Sequence, residues 1–231
     1  MTSTSALAGQ LTELLGLQHP PVAISFGTQP TAPDSVAAQP AGCCFWEPAQ
    51  RQRIDTRAAD HANCSTGSYT HGLTDLAAAE SAPDTAALVG SGWMTPADLA
   101  AVAQLPIRPT LISYQPLAAA TSPDVVLIRL GPSALMTLQG ACPGLRLASR
   151  PQCQIIPLAY DGQPAVSPGC AISRARTGLP AGEMTCALPG PDLPAVIDRL
   201  RQAVTADQAA VRYASTDRAD AHRAPGLIRR G

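Results

Sequence analysis

The chain has 231 residues, 45% hydrophobic and 14% charged, with a net charge of −1 and sixteen basic residues that are all arginine. This near-neutral charge gives no electrostatic reason to expect a nucleic-acid partner, and no apolar run approaches the roughly 20 residues that cross a membrane. The absence of lysine excludes a Schiff-base lysine, a pyridoxal-phosphate attachment site and the lysine of a P-loop.

Hydrophobic periodicity, capping residues and turn residues predict a mixture of helices and strands. In chain order, the predicted elements are a helix over Ser5–Leu17, a strand over Val22–Phe26, a loop over Thr28–Pro40, a helix over Glu47–Asp60, a turn region over Asn63–Gly72, a strand over Thr85–Val89, a helix over Thr95–Leu105, strands over Thr110–Leu117 and Val125–Leu130, a helix over Pro132–Gly140, one or two strands within Leu145–Tyr160, a loop over Gln163–Cys170, a strand over Met184–Leu188 and a helix over Asp192–Ala203. Because these elements do not alternate regularly, the expected fold class is α+β, or an irregular α/β arrangement, with a mixed sheet flanked by helices.

We expect residues 1–214 to form a single globular domain and residues 215–231 to form a flexible C-terminal tail. The N-terminus lacks the basic start and apolar stretch of a signal peptide, so the predicted location is the cytoplasm. In that compartment seven cysteines, an odd number, are more often reduced, metal-bound or catalytic than paired in disulfides. A homodimer is the default expectation for such a protein.

Four of the seven cysteines lie in distinctive local sequences and are the candidate cofactor ligands: Cys43, Cys64, Cys153 and Cys170. Thiolates are the soft ligands that hold zinc or iron–sulfur clusters. No two of the four form the Cys-x-x-Cys pair of familiar zinc ribbons or bacterial ferredoxins. The ligands would therefore come from four separate loops, an arrangement that favours a [4Fe–4S] cluster over one small ion.

The neighbouring side chains add candidates for catalysis. His61 precedes Cys64 and is either a general acid or base, a metal ligand, or a hydrogen-bonding residue of its own turn. His71 is a second such histidine and ranks behind His61. Arg174 suits an anionic substrate or a cluster sulfur, or else a surface ion pair.

The remaining cysteines receive different interpretations. Cys142 and Cys186 are predicted to be small core side chains, and the role of Cys44 is left open. Cys43 is predicted to lie just before the N-terminus of the helix over Glu47–Asp60, a position that lowers the pKa of a thiol.

Around the four candidate ligands the chain resembles the family known as domain of unknown function 169. The stretches that carry the resemblance are Gly42–Ala49, Asp60–Leu73, Arg150–Cys153 and Ser167–Arg174, with Gly178–Glu183 following. The resemblance covers roughly residues 10–205. It implies an association with metal or iron–sulfur centres held by cysteine.

Three classes of function follow. The leading one is an iron–sulfur protein in a redox or lyase-type reaction on a small molecule. Four ligating cysteines would indicate electron transfer to a partner, and three, with His61 or Arg174 facing an open iron, would indicate Lewis-acid chemistry. The alternatives are a structural zinc or other metal-binding protein, and metal-free thiol chemistry with Cys43 or Cys64 as nucleophile and His61 as base.

Overall fold

A computed structural model describes residues 3–27, 39 and 41–221 of the chain, and only the backbone of residues 217–221. The α-helices of this part are α1 Thr4–Leu15, α2 Ser65–Thr70, α3 Leu76–Ser81, α4 Pro83–Gly90, α5 Pro96–Ala100, α6 Pro132–Ala141, α7 Ile155–Tyr160, α8 Ala171–Thr177 and α9 Leu193–Ala221. Its strands are β1 Val22–Gly27, β2 Ile54–Thr56, β3 Leu111–Pro116, β4 Val125–Leu130, β5 Arg146–Leu147, β6 Ala165–Ser167 and β7 Met184–Pro189. Short 3₁₀ turns span Gly42–Phe45, Pro48–Gln50, Ala58–His61, Leu117–Ala119 and Gln152–Gln154.

Within the described residues, seven strands form one sheet in the order β2-β3-β1-β4-β7-β6-β5. β1 pairs antiparallel with both neighbours, so that Val22 lies opposite Pro116 of β3 and Leu127 of β4. β5 and β6 pair in parallel, which makes the sheet mixed. The predicted α+β class, with a mixed sheet flanked by helices, is confirmed.

The sheet is buried on both faces because its central strands are mostly apolar on both sides. In β4, Val126 and Ile128 pack with α1, α6 and α9, whereas Val125 and Leu127 point to the opposite side. That opposite side is covered by α7 and by the turn that carries Phe45. The second face, with its turns and short helices, positions the site described below.

Helix α1 illustrates how the local sequence determines an element. The Ser3 hydroxyl accepts a hydrogen bond from the first turn, and Gly16 ends the helix in the left-handed conformation with φ of 59°. Leu7, Leu11 and Leu15, four residues apart, lie on the buried face. The predicted helix over this segment is confirmed with boundaries shifted by at most two residues.

The two cysteines predicted to be core side chains are buried in the first core layer. Cys142 follows α6 and Cys186 lies on β7, and their exposed fractions are 3% and 0%. This part of the cysteine assignment is confirmed.

The predicted helix over Glu47–Asp60 is wrong. The segment contains the turn Pro48–Gln50, strand β2 and the turn Ala58–His61. β2 pairs antiparallel with β3, and this pairing at the edge of the sheet outweighs the helical pattern of the surrounding residues. As a consequence, Cys43 does not precede an α-helix but lies within the 3₁₀ turn Gly42–Phe45.

The strand predicted over Thr85–Val89 is also wrong, because this segment belongs to helix α4. Pro83 occupies the first turn of that helix, where its missing N–H costs nothing. α4 packs with α2, α3 and α5 around a small core of its own, in which Tyr69, Met94 and Leu99 are buried. The helix predicted over Thr95–Leu105 is present but shorter, because α5 spans only Pro96–Ala100.

Three loop or strand assignments near the candidate ligands change as well. The turn region predicted over Asn63–Gly72 contains α2, and the loop predicted over Gln163–Cys170 contains β6. Cys153 lies in a 3₁₀ turn that leads into α7, not on a strand.

The helix predicted over Asp192–Ala203 extends to Ala221, so residues 215–221 of the predicted tail are helical. Residues 222–231 and nearly all of the loop predicted over Thr28–Pro40 lie outside the described residues. Where the chain is described, none of its helices combines the length and the apolar character needed to cross a membrane.

Candidate functional site

One cavity of about 250 Å³ brings together all four cysteines that the sequence singles out. Four different segments supply them: Cys43 from the turn Gly42–Phe45, Cys64 from the start of α2, Cys153 from the turn before α7 and Cys170 from the start of α8. The fold therefore brings together cysteines that lie far apart in the sequence, such as Cys43 and Cys170.

The starts of two helices position two of these thiols. Cys64 is the N-cap residue of α2 and Cys170 the N-cap residue of α8, where its Sγ accepts the Ser173 N–H at 3.4 Å. Asp84 of α4 holds the start of α2, since its carboxylate accepts hydrogen bonds from the Ser65 N–H at 2.9 Å and hydroxyl at 2.6 Å. Asp84 also lines the cavity.

The other walls of the cavity come mainly from α4 and α8. They include Leu88, Trp93 and Ile172, with the guanidinium-bearing Arg176 and the amide-bearing Gln152. The Arg150 guanidinium lies 5.3 Å from the centre of the Trp93 ring, a cation–π contact. It ties the loop after α4 to the segment that carries Cys153.

The cavity thiols are close enough to influence one another's ionisation. Burial raises the pKa of Cys64 and Cys153, the charge of Cys170 raises both further, and the charge of Cys64 adds to the increase at Cys153. The hydrogen bond that Cys43 donates to Cys44, followed by burial and the Cys153 charge, raises the pKa of Cys43. Buried thiols that oppose one another's ionisation are stabilised as thiolates by a nearby positive charge.

Cys44 has a different environment from its neighbour. It is half-buried and does not line the cavity, and its Sγ lies 3.9 Å from the carbonyl oxygen of Arg176. The hydrogen bond from Cys43 lowers the pKa of Cys44 to about 6. Of these two adjacent cysteines, therefore, only Cys43 lines the cavity.

Among the histidines that the structure describes, His71 lines the cavity. Its side chain is fully buried, and burial lowers its pKa to about 4, so the ring is neutral at pH 7. Its Nδ1 lies 2.6 Å from the carbonyl oxygen of Gly67. Because a carbonyl oxygen only accepts, Nδ1 carries the proton and Nε2 carries a lone pair.

His61, ranked first from the sequence, is not among the cavity-lining residues. The Thr56 hydroxyl donates to the Ile112 carbonyl at 3.0 Å and therefore accepts from His61 Nε2 at 2.9 Å. Burial, and then the neighbouring His71, lowers the pKa of His61 to about 3. The ring centres of the two histidines are 5.6 Å apart.

Arg174 is also placed away from the cavity lining. Its guanidinium donates to the carbonyls of Leu179 at 3.0 Å, Pro180 at 2.7 Å and Glu183 at 3.0 Å, and to that of Pro168. These contacts hold together the loops on either side of α8. The ion pair of Glu183 is made with Arg129 instead, at 2.7 Å.

Sequence reasoning missed several residues of the site. Arg176, Asp84, Trp93 and Gln152 all line the cavity, whereas the arginine that the sequence singled out is Arg174. On α8, Arg176 follows Ile172 by four residues and so shares its face, but that helix is not among the predicted elements.

The donor set can be compared with the needs of different metals. Among the residues that the structure describes, no three His, Cys, Asp or Glu side chains are grouped closely enough to hold one metal ion. A zinc ion requires its thiolates at about 2.3 Å, which draws the four sulfurs tightly together. A [4Fe–4S] cluster takes one thiolate at each of four irons and spreads them farther apart. Four thiols around a cavity of about 250 Å³ fit the larger group better.

Comparison with known proteins gives one match. The family model of domain of unknown function 169, described as an uncharacterised ArCR family, matches residues 10–199. No curated protein and no solved structure matches the chain significantly. The matched range contains all four cavity cysteines and His71, and the resemblance drawn from the sequence is confirmed.

Proposed function

The chain belongs to the family of domain of unknown function 169, and from this premise we propose that its cysteine-lined cavity holds a [4Fe–4S] cluster. Through that cluster the protein takes part in a redox or lyase-type reaction on a small molecule. The observation that carries the proposal is the convergence of Cys43, Cys64, Cys153 and Cys170 on one cavity from four separate segments.

The thiols support this proposal through their electrostatics as well as their placement. The buried thiols of Cys64 and Cys153 resist ionisation while no cation is near, and iron would compensate the negative charge of their thiolates. Arg176 adds a fixed positive charge, which acts against the effect of burial on Cys64.

When bound, the cluster supplies either one-electron transfer or a Lewis-acidic iron. The chain's own residues bind it and control its surroundings. Leu88, Trp93 and Ile172 form an apolar wall that limits the access of water, and Arg176 and Gln152 offer hydrogen-bond donors to a small polar or anionic molecule. This combination of side chains supports a small-molecule substrate. The alternative is that the cluster exchanges electrons with a partner.

The remaining parts of the proposal follow from chemistry rather than from the cavity itself. Cysteine-held clusters need reduced thiols, so the protein is placed in the cytoplasm. A net charge of −1 supports no role with nucleic acid, and a homodimer remains the expected assembly.

The two alternatives receive less support. A thiol nucleophile needs a lowered pKa, but the pKa of Cys43 and of Cys64 is raised, and His61 is not on the cavity wall. A single zinc ion would require ligand atoms closer together than they are, since no three His, Cys, Asp or Glu side chains of the described residues are grouped closely enough for one ion.

The test is to purify the protein without oxygen and to measure iron, zinc, acid-labile sulfide and the visible spectrum. About four iron and four sulfide per chain, with a brown colour, is the expected result. Serine variants at three or more of the cavity cysteines should lose iron, whereas Cys142→Ala, in the core, should keep it. One colourless zinc per chain would contradict the cluster, and metal-free protein would contradict any metal site.

A further inference from the structure

His71 is a buried group on the cavity wall that the assignment of four cysteine ligands leaves without a role. Its side chain is fully buried, and its Nε2 has no hydrogen-bond partner within the described part of the chain. Leaving a buried polar atom unpaired is unfavourable, so a partner for Nε2 is expected in the working protein.

The tautomer of His71 determines which kind of partner is suitable. Nδ1–H donates to the Gly67 carbonyl at 2.6 Å, so that Nε2 presents a lone pair and no proton. The same arrangement is typical of metal-ligating histidines, whose second nitrogen donates to a backbone carbonyl and thereby fixes the ring. The partner must therefore be a proton donor or a metal.

The surroundings of His71 are those of the cysteine ligands. Gly67, to whose carbonyl the ring is bound, lies next to Cys64, and a Cβ at position 67 would be 3.1 Å from that Sγ. On the other side, the Cε1 atom of His71 lies 3.6 Å from the position of a Cβ at Gly42, the residue before Cys43. The ring thus lies between two of the segments that carry cavity thiols.

We infer that Nε2 of His71 is an iron ligand of the cluster, taking the place of one of the four cysteines. This inference rests on the proposed function. A cubane has four irons, so His71 and three cysteines complete its ligand set, and one thiol of the cavity remains free of iron.

His61 offers a matched control. It too is buried and neutral, and its Nδ1 also has no partner among the described residues. It differs from His71 in not lining the cavity and in being bound through Nε2 to Thr56. A ligand role predicts different behaviour for the two histidines, whereas a general requirement for buried imidazole predicts the same behaviour.

The experiment uses full-length protein labelled with ¹⁵N-histidine, loaded without oxygen with equal amounts of ferrous and ferric iron and with sulfide, and then reduced by one electron with dithionite. Pulsed electron paramagnetic resonance then measures the hyperfine coupling of the reduced cluster to histidine nitrogen. We expect a strong ¹⁵N coupling in the unsubstituted protein and in His61→Gln, and its loss in His71→Gln. His71→Cys should keep the cluster and lower its midpoint potential, because replacing imidazole by thiolate lowers the potential of such centres.

The iron analysis separates this inference from the proposed function. A protein that binds iron and sulfide but shows no histidine coupling retains the cluster proposal and overturns the role of His71. Coupling that survives in His71→Gln and disappears in His61→Gln overturns it equally. A protein that binds no iron overturns both. Should His71→Gln fail to fold, the labelled unsubstituted protein and His71→Cys still decide the question.

Discussion

Gly42 and His61 are packed so closely that no side chain fits between them. A Cβ atom at position 42 would lie 2.8 Å from His61 Nδ1, closer than real Cβ contacts allow. Gly42 begins the turn that carries Cys43, and His61 is 1% exposed and bound to Thr56. The close approach of this glycine to the imidazole therefore helps to set the position of the Cys43 thiol.

The first prediction concerns this contact. Gly42→Ala should destabilise the protein by about 1–3 kcal/mol, because the buried imidazole must shift to admit the methyl group. Gly9 in α1 is the control, since a Cβ there would meet nothing within 4 Å. Gly9→Ala should stabilise the protein by about 0.5–1 kcal/mol. Denaturant unfolding of the metal-free protein measures both, and equal midpoints for Gly42→Ala and the unsubstituted protein would contradict the steric argument.

The second prediction concerns acid. Burial lowers the pKa of His61 to about 3 and of His71 to about 4, below the ordinary value of 6.5. Between these values and 6.5 the unfolded chain binds protons that the folded chain does not, so stability falls as the pH falls. Each histidine should contribute a slope of up to about 1.4 kcal/mol per pH unit.

The measurement for this prediction is the free energy of unfolding of metal-free protein between pH 7 and pH 4.5. His61→Gln and His71→Gln should each have a shallower slope than the unsubstituted protein, whatever their stability at pH 7. A slope that neither substitution changes would mean that other groups control the loss of stability in acid.

The third prediction concerns Arg174. Its guanidinium joins four backbone carbonyls around α8, the helix that begins at Cys170. Arg174→Ala should cost about 2 kcal/mol of stability, because hydrogen bonds to a charged group are lost. Arg51→Ala is the control, since the Arg51 side chain is 71% exposed and should contribute almost nothing. Thermal unfolding compares the two, and equal effects would argue against a special role for Arg174.

The fourth prediction concerns proton release. Burial and the neighbouring thiolates raise the pKa of Cys153, and similar effects raise that of Cys64, so both are protonated in metal-free protein at pH 7. Binding iron requires thiolates, so loading should release protons and should become more favourable as the pH rises. A weakly buffered indicator dye can count the protons released on loading. Cys142→Ala should release as many as the unsubstituted protein, and a serine variant of Cys153 should release fewer.

Local sequence was sufficient where the element depends on its own residues. The capped leucine repeat of α1 and the apolar runs of β4 and β7 were predicted with nearly correct boundaries, since burial on one or two faces leaves a direct pattern in the sequence. The Glu47–Asp60 and Thr85–Val89 segments were assigned wrongly. The structure of Glu47–Asp60 depends on the pairing of β2 with β3, which lies far away in the chain. The structure of Thr85–Val89 depends on the small core around Tyr69, which several short helices form together.

The candidate site divides in the same way. The sequence by itself determined which cysteines belong together, because their unusual flanking residues distinguish them from Cys142 and Cys186. It also determined the family, whose model covers residues 10–199. The tertiary structure alone decided that His71 lines the cavity rather than His61, and Arg176 rather than Arg174. The physical reason is that the local sequences around these histidines and arginines do not show which side chain faces the cavity. The free ring nitrogen of each histidine is likewise set by its hydrogen bond in the folded chain, to Thr56 for His61 and to the Gly67 carbonyl for His71.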